Sequence, residues 1–129
     1  MLISDLEARF GLEPIQGDYE DRPLLGGYCS DLLSDVMAHA KAGSVLVTIQ
    51  AHRNSVAVAS LVGLSALILC NGRQAPLDMV EAARAERLSI FGTIDSQFEV
   101  SGKLWAKLSP ATAPDSPDAL DAPDGQSGR

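Results

Sequence analysis

The chain lacks most of the features that assign a sequence quickly. Its 129 residues hold two cysteines, two histidines and one tryptophan, and aromatic residues make up only 5%. Cys29 and Cys70 are far apart, with no C-x-x-C spacing, and His39 and His52 do not stand at zinc-ligand offsets from them. No disulfide is needed either, because 46% apolar residues are enough to build a core, so buried, reduced thiols are expected. No basic stripe occurs, and the net charge of −7 argues against nucleic acid and anionic membrane surfaces. The longest apolar stretch, SVAVASLVGLSALILC, is interrupted by serine and glycine and is too short to cross a bilayer. MLISDLEARFG has no basic region followed by an apolar run, so no secretory signal is expected and a cytoplasmic location follows. Two motifs are also missing: a P-loop G-x-x-x-x-G-K-[ST] and a dinucleotide-binding G-x-G-x-x-G after a strand.

What is present divides the chain at Leu108. Residues 1–108 have the composition of one domain. The segment 109–129, SPATAPDSPDALDAPDGQSGR, has four prolines and no aromatic residue. It buries too little apolar area to offset its ordering entropy, so it reads as a disordered acidic tail. Asp115, Asp118, Asp121 and Asp124 recur every third residue, but the glycine turn and bidentate acid of a calcium loop are missing. No metal or cofactor is expected.

Ser4 and Glu7 fit a capping box for a short first helix, with Leu2, Leu6 and Phe10 on one face and Gly11 as its stop. LEPIQG reads as a strand that Pro14 confines to a sheet edge. After Gly26-Gly27, SDLLSDVMAHAKAG reads as a helix capped by Ser30, with Leu32, Leu33, Val36, Met37 and Ala40 on the buried face. SVLVTIQ, SALILC and SIFGT are buried-strand runs, separated by the helical stretches AHRNSVAVASLVG and PLDMVEAARAERL. Asp95 or Ser96 opens a last helix, expected to bury Phe98 and Trp105. Strands alternating with helices predict an α/β fold, a mostly parallel sheet flanked by helices.

In such sheets ligands gather beyond the carboxyl ends of the strands, near helix N-termini. That rule collects Gln50, His52 and Asn54 after one strand and Thr93 after another. Gly26, Gly27, Ser30 and Asp31 join them if the glycine doublet lies on the same rim. Each residue also has a plain structural role as turn, cap or packing position. A Cys29 nucleophile with His52 as base is the enzyme alternative, although nothing in the sequence brings the two together.

The stretch DRPLLGGYCSDLLSDVMAHAKAGSVLVTIQAHRNSVAVASLVGLSALIL resembles the DRTGG domain family. The resemblance extends over residues 1–108 and rests on Asp21-Arg22 with Gly26-Gly27, SDLLSDVM, TIQAHRN and IFGTIDSQFEVSGKL. Leu25 stands where many members carry threonine. The resemblance implies a fold similar to the N-terminal domain of HPr kinase/phosphorylase and a regulatory, non-catalytic role. The chain looks especially like small stand-alone members found beside hydrogenase and redox-complex components. It further implies a homodimer that binds a small ligand such as a nucleotide, or docks on a redox complex.

Overall fold

A computed structural model describes residues 1–108 of the protein; the segment 109–129, and with it the expected tail, lies outside the described residues. The elements, in chain order, are α1 (Asp5–Ala8), β1 (Glu13–Gln16), β2 (Gly26–Cys29), α2 (Leu33–His39) and β3 (Ser44–Thr48). They continue with α3 (Arg53–Val62), β4 (Ala66–Leu69), α4 (Leu77–Ala85), β5 (Ser89–Gly92) and α5 (Gln97–Leu108). The strands form one sheet in the order β1-β5-β4-β3-β2. β2 to β5 are parallel, and β1 runs antiparallel to β5 with a register shift between Pro14 and Gln16. The expected α/β class, with a mostly parallel sheet between helices, is what the chain adopts.

Right-handed crossovers through strands added always on the same side place α2, α3 and α4 together on one face. Val36, Val56, Ala59, Met79 and Ala83 of these helices pack on Leu46, Leu67, Leu69 and Ile90 of the strands. Alternate strand residues (Val45, Val47, Ala66, Ile68 and Phe91) face the other way, against Leu6 of α1 and Val100 and Leu104 of α5. Both faces of β3, β4 and β5 are therefore dry, which is why these runs are apolar throughout.

Several local expectations are corrected. Ser4 makes no cap for α1; its Oγ donates to Asp21 Oδ2 at 2.6 Å and its N–H to Asp21 Oδ1 at 2.9 Å. The capping box lies at Ser96 and Glu99, where Ser96 Oγ accepts from Glu99 N and Glu99 Oε1 accepts from Ser96 N. Gly26-Gly27 does not form a turn but begins the edge strand β2, which the glycines disguised in the sequence. Placing Gly26 to Cys29 in a strand delays α2 to Leu33, so Ser30 does not cap it. Leu32 and Met37 are exposed, leaving Val36 as the buried contact of α2. Phe98 and Trp105 are likewise exposed, at 87% and 63%, rather than buried. No described helix is long and apolar enough to cross a membrane.

Candidate functional site

The carboxyl ends of β2 and β3 carry a dense polar cluster with Asp31 at its centre. β2 ends at Cys29, and the Ser30 N–H continues the ladder by donating to Val47 O at 3.2 Å. That contact swings the next residue over the end of β3. Asp31 Oδ1 there accepts from Thr48 Oγ1 and the Ile49 N–H, both at 2.9 Å, and from Gln97 Nε2 of α5 at 3.0 Å. Gln50 closes the group, donating from Nε2 to Asp31 O at 3.0 Å. Thr48 is fully buried, so its hydroxyl needs these partners; it also accepts from the Gln50 N–H at 3.1 Å.

Beyond Gln50 the chain enters α3. His52 is the N-cap, and its Nδ1 accepts from the Asn54 N–H at 3.0 Å. An accepting Nδ1 places the ring proton on Nε2, so the outer edge of the imidazole is a donor. Ser55, fully buried, anchors the first turn by donating to Gln50 O at 2.8 Å. The first turn of α3 has no acidic residue, and Arg53 makes no ion pair among the described residues. With Arg53 exposed and no acid in its first turn, the start of α3 is a local positive centre in an otherwise acidic chain.

The structure thus brings together Ser30, Asp31, Gln50, His52 and Asn54. Thr93 is on the same rim but two strands away, after β5, where its Oγ1 accepts from the Asp95 N–H at 3.1 Å. Gly26 and Gly27 are not on this rim. Gly26 is paired with Ser44 at the amino end of β3, and both glycines line a separate cleft between β2 and α5. The reason is the unrecognised strand: the doublet opens β2, and Tyr28, Cys29 and Ser30 carry the extended chain on to Asp31 at the other end. The parallel run also never reverses direction, so the sheet has no interior switch-point crevice. The polar rim is built instead by a loop folded over the β2–β3 end.

Two contributors escaped the sequence reading. Arg53 lay inside a helical run with no visible partner. Gln97 is 66 residues from Asp31 in the chain, and only the crossing of α5 over the sheet brings them together. Cys29 and His52 are engaged separately, the thiol with Gln97 Nε2 at 3.7 Å and the imidazole with Asn54. No group of three or more His, Cys, Asp or Glu side chains among the described residues is placed to hold a metal ion. Asp21 and Arg22, the front of the family-like motif, serve the amino terminus, where Arg22 O accepts from the Ile3 N–H at 2.9 Å.

No family model and no curated protein matches the chain. Among solved structures it resembles the CBS and DRTGG domains of the regulatory region of a Clostridium perfringens pyrophosphatase, complexed with the activator diadenosine tetraphosphate. The TM-score is 0.61 at 11% identity, over 79% of this chain and 44% of that one. The likeness is one of fold. It accords with the family resemblance seen in the sequence, and the chain spans less than half of that regulatory region.

Proposed function

We propose that the chain is a DRTGG-type regulatory, ligand-sensing domain that binds a nucleotide or related phosphate-bearing ligand at the carboxyl rim of β2 and β3. The observation that carries this reading is the start of α3, where Arg53 and the His52 imidazole are both exposed beside a prebuilt hydrogen-bonding group. A guanidinium and an imidazole N–H suit phosphate oxygens. The Asn54 and Gln50 side chains suit sugar hydroxyls or a base edge. The fold shared with a regulatory region complexed with a dinucleotide supports the ligand class. Chemistry by a Cys29–His52 pair is not part of the reading, since each side chain is committed elsewhere.

Calorimetric titration of the full chain with AMP, ADP, ATP and diadenosine tetraphosphate tests it. At least one nucleotide is expected to bind, with affinity reduced about tenfold or more in Arg53→Ala, a loss typical of a charge-assisted contact. His52→Asn keeps an N-cap while removing the imidazole, so it separates ligand contacts from helix weakening. Absence of heat with all four nucleotides, or binding indifferent to both variants, overturns the reading.

A second reading, an interaction module for a redox or hydrogenase-related complex, is favoured by the exposure of Ile94 and Phe98, both at 87%. Self-association as a homodimer fits the unequal edges of the sheet. β1 is guarded by Glu13, Pro14 and its register shift, whereas Gly26–Cys29 of β2 has no charge or proline. Co-purification with such a complex, without any nucleotide response, would favour this reading over the first.

A further inference from the structure

The sheet ends at β2, whose outer side has no strand partner among the described residues. Backbone N–H and C=O groups along a strand turn to alternate sides, residue by residue. The Ser30 N–H donates to Val47 O, so Tyr28, two residues earlier, also turns its backbone to β3. Gly27 and Cys29 therefore direct their N–H and C=O groups outward, and no described loop or turn supplies partners for them. Such an edge is a template for one more extended chain, and proteins commonly blunt it with charge, proline or a bulge. β2 has none of these, and its register with β3 is regular.

The outward groups are complementary to themselves. Laid antiparallel against an identical strand, with a two-fold axis beside Tyr28, Gly27 of each copy faces Cys29 of the other. Each such pair exchanges two backbone hydrogen bonds, so every outward group of both strands finds a partner. The side chains agree with that register. On the α5 face the Cys29 thiol of one copy stands opposite Gly27, which has no side chain to meet it. On the α2 face the two Tyr28 rings become cross-strand neighbours, their hydroxyls already held by Asp35 at 2.8 Å.

A pair of short strands is marginal without apolar cover. Leu25 and Leu32 bracket β2 and are 73% and 64% exposed, and Trp105 of α5, beside the strand, is 63% exposed. A second copy on the edge takes apolar surface of this kind out of water. Charge points the same way: copies of a chain with net charge −7 approach each other with least repulsion along an uncharged strand.

We propose that two copies of the chain join edge to edge through antiparallel pairing of β2, Gly27 with Cys29, into one continuous sheet. The proposal rests on the self-association reading and gives it an interface and a register.

Sedimentation velocity of the full chain over a dilution series tests it, together with amide hydrogen exchange followed by NMR. Wild type is expected to form a dimer that dissociates on dilution. The Gly27 and Cys29 amides should exchange fast in the monomer and slowly in the dimer. The Tyr28 amide, turned to β3, should be protected in both. Gly27→Pro removes a donor that the protomer does not use, and should raise the dissociation constant about thirtyfold, the worth of two ordinary hydrogen bonds. Gly27→Lys should abolish the dimer by setting a charge against the facing strand. Its Cβ meets nothing nearer than 3.7 Å in the protomer, so the circular dichroism spectrum should not change.

A chain that is monomeric at every concentration overturns the homodimer reading and this proposal together. A dimer indifferent to both variants, or one whose Gly27 and Cys29 amides still exchange fast, keeps the homodimer and overturns the edge pairing. The exchange measurement needs no variant, so it decides the matter where a substitution unfolds the chain. Protection that persists in the monomer puts the chain's own segment on the edge and overturns the proposal. Protection seen only while a different protein co-purifies does the same.

Discussion

Gln97 donates through Nε2 to Asp31 Oδ1 at 3.0 Å, joining the start of α5 to the loop that leaves β2. The two residues are 66 apart in the chain and meet because α5 begins after β5 and packs across on β2 and β3. Asp31 is therefore a structural hub first, and it presents the rim residues around it as a consequence.

Asp31→Ala is expected to destabilise the domain by about 2 kcal/mol, since one carboxylate oxygen serves three donors and the buried Thr48 hydroxyl is among them. Gln97→Ala should cost about 1 kcal/mol, less because its amide is partly exposed to water. Urea unfolding of both single variants and the double variant measures this. A sum of independent effects in the double-variant cycle would argue against the contact.

The two thiols should separate by reactivity. Burial pushes the Cys70 thiol up to about 11, with the nearby charges of Cys29, Asp31 and Asp95 adding to it. Cys29 is exposed. Iodoacetamide at pH 8 should alkylate Cys29 and spare Cys70 until urea is added, since the thiolate is the nucleophile. Mass spectrometry of the modified peptides reads the outcome. Equal labelling under native conditions would contradict the placement of Cys70.

Stability should fall on the acid side through the Tyr28–Asp35 contact. The Tyr28 hydroxyl, then Ser30 and His39, hold the Asp35 carboxyl below its ordinary range. A lowered folded-state value gives a contribution that is complete above the unfolded value, roughly pH 4, and is lost as pH falls through the folded one. The same hydrogen bond raises Tyr28, so its share is present below roughly pH 10 and is lost as pH rises through the folded value. Tyr28→Phe should flatten the acid limb of a plot of melting temperature against pH. An unchanged acid limb would show that the pair carries no such linkage.

The displaced capping box gives a further contrast. Ser96→Ala should cost about 1 kcal/mol, because it removes the cap of α5. Ser4→Ala should act only through Asp21, so its effect should vanish in an Asp21→Ala background. Circular dichroism melts of the four variants settle both points.

The class of the fold was legible in the sequence because SVLVT, ALIL and SIFG are apolar on both faces. Only strands covered by helices on both sides have that pattern. The cluster of Gln50, His52 and Asn54 was legible for a related reason: polar residues directly after a buried strand must emerge at its carboxyl end. Ser30 and Asp31 were joined to it only on the condition that the glycine doublet lay on the same rim; the doublet does not, and the two reach the rim because β2 ends just before them.

What only tertiary structure decided were relationships across the sheet. Glycine has weak strand propensity, and pairing with β3 overrode it to make GGYC an edge strand, moving Gly26 and Gly27 off the rim into a cleft. Ser-x-x-Glu occurs at both Ser4 and Ser96, and which one caps a helix depends on whether a distant acid such as Asp21 competes for the hydroxyl. The side of α5 that is buried was set by its packing against β2 and β3, which left Trp105 exposed on the wall of a cleft instead of in the core. Local pattern determines which residues become strands and helices; long-range pairing determines which of them meet.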